Sequence, residues 1–176
     1  MIGRFVLAAA ALLVAPAAAS AQDAEKPIDE IAADLAYGFC PLFLADQLAL
    51  TGNPQLAALG FDAKVQKLPH PRFGEFEQIG LKRADGEIGF GGAAGKACNV
   101  VVMGPKREAA LARLRSSMRL TGLDFKPATN VKTPAITGVT IETFKAPVEG
   151  QFLYVQLIQA GGPTPMVSAQ LFGMEE

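Results

Sequence analysis

Residues 73–90, FGEFEQIGLKRADGEIGF, carry the clearest structural signal, because apolar and polar side chains alternate on both sides of Asp85-Gly86. Alternation predicts half-buried strands, and Asp-Gly is a strong hairpin turn since both turn residues need positive φ. Closing the hairpin on this pair places Leu81 opposite Phe90. Four large apolar side chains of the hairpin then share one face: Ile79, Leu81, Ile88 and Phe90.

Upstream of the hairpin, the spacing of apolar residues predicts helices. The positions from Ile28 to Ala36 repeat at helical spacing, and Gly38 is expected to break this helix. A second helix is predicted at residues 42–50 and a short third turn at residues 53–59. The segment 67–74 has no period and is predicted to be a loop.

Downstream, a glycine-rich bend at residues 91–95 leads to a β-branched strand, Ala97–Met103, and then to a helix from Pro105 to Thr121. Three more strands follow, separated by turn-rich segments: Gly138–Phe144, Gln151–Ile158 and Met166–Phe172. We therefore expect an α+β fold, in which N-terminal helices precede three antiparallel strands, one helix and three further strands. Short connections favour a twisted antiparallel sheet with the helices on one face.

The first 21 residues are typical of a secretory signal peptide. One charge at Arg4 precedes an apolar run from Phe5 to Ala15, and Ala19-Ser20-Ala21 supplies small residues for cleavage before Gln22. The apolar run is shorter than the roughly 20 residues that span a bilayer. We predict that residues 22–176 form one compact domain without a transmembrane segment, located in the periplasm or secreted.

Composition and charge exclude one class of partner. The net charge of the 176 residues is −1, and it becomes −2 when the leader, with its single arginine, is removed. Binding to nucleic acid normally needs a basic surface. We therefore predict no nucleic-acid partner.

Two cysteines, Cys40 and Cys98, lie in the mature part. An even count in an exported chain favours one disulfide between them, although two separate buried thiols are the alternative. By the chain-entropy relation, closing a loop of about 59 residues stabilises the fold by about 4 kcal/mol. A redox-active pair would more commonly be Cys-x-x-Cys, which is absent, so the predicted bond is structural.

Residue types that carry catalysis do not form a recognisable motif. The single histidine, His70, lies between two prolines and is interpreted as an exposed loop residue. Glu75 and Glu77 are interpreted as a solvated strand face. The serines of the mature part have no motif around them: Ser116, Ser117 and Ser168. The sequence therefore predicts no catalytic residue, no metal site and no cofactor.

The glycine-rich segment Gly89–Lys96 invites comparison with phosphate-binding loops. A P-loop requires glycine where Phe90 stands and Ser or Thr where Ala97 stands, so the match fails twice. The segment also joins two predicted strands, whereas a phosphate loop joins a strand to a helix. We interpret it as a hairpin bend.

The helix predicted from Pro105 carries an excess of positive charge, with Glu108 as its one acidic residue. It is a candidate anion-binding patch for an acidic partner or for lipid headgroups, and the alternative is a solvated helix. The basic residues are Lys106, Arg107, Arg113, Arg115 and Arg119.

Three hypotheses about function follow. The first is an exported, non-enzymatic binding or structural protein of the bacterial cell envelope, with an unknown ligand and either another envelope protein or an anionic surface as partner. The second is an inhibitor or accessory factor of another exported protein, which would use a proline-rich loop such as 68–73 or 161–165. The third is a small hydrolase with an unrecognised site.

Overall fold

The computed structural model describes residues 26–129, 131 and 135–174, so the predicted signal peptide lies outside the described residues. Within them, the strands form one antiparallel sheet. The strands are β1 Gln66–His70, β2 Gly74–Arg83, β3 Gly86–Ala93, β4 Ala97–Met103, β5 Lys126–Pro127, β6 Val139–Val148, β7 Gln151–Ala160 and β8 Met166–Met174. Their spatial order, β1-β2-β3-β4-β8-β7-β6-β5, joins two four-stranded meanders through β4 and β8.

The helices precede the sheet or connect its two meanders. They are α1 Ile28–Asp34, the π-helical turn Leu35–Phe39, α2 Cys40–Leu44, α3 Pro54–Ala58, α4 Arg107–Ser117 and the 3₁₀ turn Met118–Thr121. The Tyr37 hydroxyl donates a 2.8 Å hydrogen bond to the Leu114 carbonyl, which ties the π-helical turn to α4. Burial raises the pKa of Tyr37 and keeps this hydroxyl protonated.

The α+β prediction with one antiparallel sheet is confirmed, but the predicted element counts are wrong. Two strands, β1 and β5, were not expected, and β1 occupies the first half of the segment predicted to be a loop. Pro69 lies in β1, which is an edge strand of the sheet. An edge strand tolerates proline because one side of its backbone has no ladder to complete.

The predicted hairpin forms, with a different register. Leu81 pairs with Ile88, and Ile79 pairs with Phe90, because the turn consists of Ala84 and Asp85. The predicted pairing of Leu81 with Phe90 is therefore wrong. The predicted common face is confirmed, since the shift of two residues preserves the side on which each side chain lies.

The N-terminal helices also differ from the prediction. Gly38 does not end the first helix, because the chain continues through the π-helical turn, where the Cys40 N–H donates to the Leu35 carbonyl. The second helix stops at Leu44, well before the predicted residue 50. Asp46 then adopts a left-handed conformation with φ 57°, which is incompatible with continuing the helix.

The glycine-rich segment is a strand, and the predicted bend at residues 91–95 is wrong over its first part. β3 runs to Ala93, and Gly91 lies within it with φ 150°. A Cβ atom at Gly91 would lie 2.0 Å from the Glu77 carbonyl oxygen of the adjacent strand. Only glycine permits this approach.

The main hydrophobic core lies between the helices and one face of the sheet. Phe90 is fully buried at its centre and meets the rings of Phe39, Phe43 and Phe61 at centroid distances of 6.2–6.3 Å. Three residues of α4, Ala110, Leu111 and Leu114, are buried in this core, as is Met118 of the 3₁₀ turn. No helix among the described residues is long and apolar enough to cross a membrane.

The predicted disulfide between Cys40 and Cys98 is confirmed. The two Cα atoms lie 5.5 Å apart, and both cysteines are fully buried. Cys40 begins α2 and Cys98 lies in β4, so the bond fastens the N-terminal helices to the central strands of the sheet. That position suits a structural bond.

The opposite face of the sheet carries a second, smaller cluster of buried residues at one end: Phe76, Ala97, Tyr154 and Phe172. Among the described residues, no helix contributes a side chain to this cluster. We call this side of the sheet the helix-free face.

Candidate functional site

A row of carboxamide side chains crosses the helix-free face at right angles to the strands. The register aligns Gln66 of β1 with Gln78 of β2, then with Gly91 of β3. It continues through Asn99 of β4 to Gln170 of β8. Directly paired residues project on the same side of a sheet, so the four side chains form one line, which we call the amide row.

The amide row lines a cavity of about 820 Å³ on the helix-free face. Beside the row, the cavity wall is apolar and half-buried, formed by Val101, Met103, Ile158 and Met166. A concave surface that combines apolar walls with a few placed polar groups is the usual form of a small-molecule site.

Several polar groups of the cavity have no partner in the part of the chain that the structure describes. The side chains of Gln66, Gln78 and Asn99 make no hydrogen bond there, nor does the hydroxyl of Ser168. Ser168 is only 3% exposed, yet it lines the cavity. A hydroxyl that faces a cavity and has no hydrogen-bond partner is available to a ligand.

Glycine leaves room for the amide row on β3. A Cβ atom at Gly89 would lie 1.5 Å from the side-chain nitrogen of Gln78, so this carboxamide lies directly over Gly89. The Gln78 amide can occupy this position because Gly89 has no side chain there.

His70 closes one end of the cavity, and its interpretation as an exposed loop residue is wrong. Its ring stacks on Phe76 with centroids 4.2 Å apart, and its Nδ1 accepts hydrogen bonds from the backbone N–H groups of Arg72 and Phe73. Its Nε2 lies 3.2 Å from the side chain of Gln170. Burial, helped by the charge of Arg72, lowers the pKa of His70, so the ring is neutral at neutral pH.

The charges around the cavity balance. Lys64 and Lys82 line it together with Asp62 and Glu87. Lys82 and Glu87 form an exposed ion pair at 2.6 Å, which raises the pKa of Lys82. The cavity therefore presents hydrogen-bonding groups without an excess of either charge.

The amide row continues past the cavity on the other meander. Gln156 of β7 pairs with Gln170, and Thr143 of β6 pairs with Gln156. The Gln156 side-chain nitrogen donates a 3.3 Å hydrogen bond to the Thr143 hydroxyl. These two groups satisfy each other, whereas Gln66, Gln78 and Asn99 have no such partner among the described residues.

The predicted cationic helix has carboxylates around it that sequence spacing did not reveal. Arg113 lies 3.2 Å from Glu30, and Arg115 lies 2.5 Å from Glu142, which raises the pKa of Arg115. Arg107 lies 3.5 Å from Glu108. Within the described residues, the other two cations, Lys106 and Arg119, form no ion pair. Anion binding here stays a prediction.

The remaining sequence candidates lie apart from one another. The exposed carboxylates of Glu75 and Glu77 both lie near Lys67, at 2.8 and 3.5 Å. The Ser116 hydroxyl donates to the Arg113 carbonyl on α4, away from the cavity. No group of three or more His, Cys, Asp or Glu side chains that could hold a metal ion occurs among the described residues.

The amide row was missed in the sequence because its members come from four separate strands. The alternation from Val167 to Leu171 does signal one polar face, with Ser168 and Gln170 on it. That alternation does not show which strands lie beside β8. No family model, curated protein or solved structure matches this chain.

Proposed function

We propose that the protein is an exported, non-enzymatic binding protein that holds an uncharged polar ligand on the helix-free face of its sheet. The observation that carries the proposal is the amide row in its cavity, where Gln78, Asn99 and Ser168 offer donors and acceptors with no partner in the described chain.

The chemistry of these groups favours binding over catalysis. Carboxamides donate and accept hydrogen bonds, but they do not ionise near neutral pH and are not nucleophiles. The one histidine of the chain uses Nδ1 to accept two backbone N–H groups and its ring face to stack on Phe76. Its geometry supports a structural role at the cavity end.

Export is supported by the leader pattern together with the disulfide. Disulfides persist in oxidising compartments and are rare in the cytosol. We expect the protein in its native compartment to begin at Gln22, which N-terminal sequencing and intact mass would detect. A cytosolic protein that begins at Met1 would contradict export.

The ligand proposal is tested by native mass spectrometry of the protein purified from its own compartment. The double variant Gln78→Ala, Asn99→Ala removes two free carboxamides, and Gln55→Ala makes the same chemical change at an exposed position on α3. We expect an adduct on the wild type and on Gln55→Ala that is lost from the double variant. An adduct that survives in the double variant would place binding elsewhere and contradict the proposal.

The inhibitor hypothesis proposed two proline-rich loops for binding a partner, and the structure does not contain the first of them. Residues 66–70 form β1, so the expected protruding loop at 68–73 is wrong, and only a tight turn after His70 remains. The other segment, residues 161–164, is exposed, and its role in binding a partner stays a prediction.

A further inference from the structure

We propose that the ligand is a linear oligosaccharide of β-linked N-acetylhexosamine units, which lies along the amide row and crosses the β-strands of the sheet. This inference rests on the proposed function and deepens it by naming the class of ligand. Three features carry it: the direction and spacing of the row, the chemistry of its carboxamides, and the neutral apolar strip beside it.

The amide row offers an extended track. Gln66 and Gln170 are separated by four inter-strand steps, which amounts to about 19 Å at the usual strand spacing. Successive positions lie about 4.8 Å apart. This spacing is close to the repeat distance of one sugar unit in an extended β-linked pyranose chain. A linear glycan laid across the strands would therefore bring successive sugar units over successive strands.

Carboxamides suit the N-acetyl group. A side-chain amide such as that of Asn99 presents a donor beside an acceptor. An N-acetyl group likewise presents one N–H and one carbonyl, on opposite sides of its trans amide, so a carboxamide can accept from the N–H or donate to the carbonyl. Gln78 and Asn99 have both functions unused within the described chain.

The acetyl methyl group needs an apolar contact, and the cavity supplies one beside the row. Val101 lies two residues beyond Asn99 on β4, a distance of about 7 Å along a strand. Val101 pairs with Ser168 of β8, and Ser168 pairs with Ile158 of β7. The half-buried side chains of Val101 and Ile158 therefore flank the free Ser168 hydroxyl, so that one strip offers both apolar and polar contact.

Other ligand classes fit less well. An anion or a cation would meet no excess of opposite charge, because Asp62 and Glu87 offset Lys64 and Lys82. An extended peptide binds sheets most readily by adding to an edge, where backbone groups are free. The cavity lies on a face whose central strands are paired on both sides, so recognition there depends on side chains.

The test is an NMR titration of the ¹⁵N-labelled mature protein with chitohexaose, an N-acetylated oligosaccharide. Cellohexaose serves as the matched control without acetamido groups. We expect chitohexaose to shift the backbone amides of β2, β4 and β8 around the amide row. Cellohexaose is expected to bind about tenfold more weakly or worse, since it lacks the acetamido groups that would bond to the carboxamides.

Variants then assign the contact. Gln78→Ala with Asn99→Ala is expected to weaken chitohexaose binding about tenfold or more, the loss expected for two neutral hydrogen bonds. Gln55→Ala is expected to bind as the wild type does. Gly89→Ala is a second test with the carboxamides retained, because its added methyl group displaces the Gln78 side chain. The spectra report whether each variant is folded.

The outcomes separate this inference from the proposed function. No shift at millimolar chitohexaose, equal binding of both oligosaccharides, or shifts confined to other surfaces would overturn the N-acetylhexosamine assignment. If the native adduct is nevertheless lost in the double variant, the face binds a ligand of another class and the proposed function stands. If the N-acetylhexosamine assignment is overturned and the native adduct also survives in the double variant, both this inference and the proposed function fail.

Discussion

Asn99 and Gln170 face each other directly across β4 and β8, the two strands at which the meanders of the sheet meet. β1 to β4 form one meander, and β5 to β8 form the other. The cavity therefore lies over the seam and takes residues from both halves of the chain. Neither half alone contains the site, so forces that hold the halves together also hold the site together.

The first prediction concerns the disulfide. Replacing both cysteines, Cys40→Ala with Cys98→Ala, should lower the free energy of unfolding by about 4 kcal/mol, because the unfolded chain loses a cross-link that closes a long loop. Urea unfolding under non-reducing conditions measures the difference. Changing both cysteines avoids a free thiol. Equal unfolding midpoints for the wild type with and without reductant would contradict a stabilising bond.

The second prediction concerns the close approach of β3 to β2. Gly91→Ala should lower the free energy of unfolding by more than about 2 kcal/mol, since the new Cβ atom would lie 2.0 Å from the Glu77 carbonyl oxygen and φ is 150°. Gly95→Ala is the matched control. Gly95 also has positive φ, 69°, but has open space around it, so only a backbone cost of about 1 kcal/mol is expected. Similar losses in the two variants would show that contact with β2 is unimportant.

The third prediction concerns the centre of the core. Phe90→Ala should cost about 3–5 kcal/mol, because it removes a fully buried ring that contacts three other aromatic rings. Leu120→Ala serves as the control, since Leu120 is 79% exposed and its truncation should stay within about 0.5 kcal/mol. Thermal or urea unfolding compares them. A small loss at Phe90 would mean that the helices do not pack on the sheet as described.

The fourth prediction concerns pH. Burial and then Arg72 lower the pKa of His70, so the folded protein should titrate below the usual histidine value of about 6.5. The unfolded chain then binds the proton first as the pH falls. Stability from this group is complete above about pH 6.5 and decreases as the pH drops from there through the folded pKa.

A proton NMR titration reads this pKa directly, because His70 is the only histidine of the chain. The His70→Gln variant should lack the histidine contribution to the decrease in stability between pH 7 and acid pH. A midpoint at or above 6.5 in the folded protein would contradict burial of the ring against Phe76.

The sequence alone was enough to predict the α+β class of the fold and the common face of the hairpin, and it favoured the disulfide over two separate thiols. Alternation at Ile79, Leu81, Ile88 and Phe90 fixes which side chains share a face, because the side-chain period of a strand is two residues. It does not fix which residues pair, so the register was predicted two residues away from the observed one. The β-branched run of β4 was likewise sufficient, and its bounds, Ala97–Met103, agree with the structure.

The remaining features depend on pairing between distant parts of the chain. β1 contains Pro69 and forms because the neighbouring β2 supplies a partner along its full length, which no local propensity records. The amide row depends on β4 lying beside β8, a contact between the last strands of the two meanders. Local patterns specify the direction of each side chain, whereas long-range pairing specifies its neighbours. The candidate site consists of such neighbours, and it therefore became visible only when the two meanders were joined.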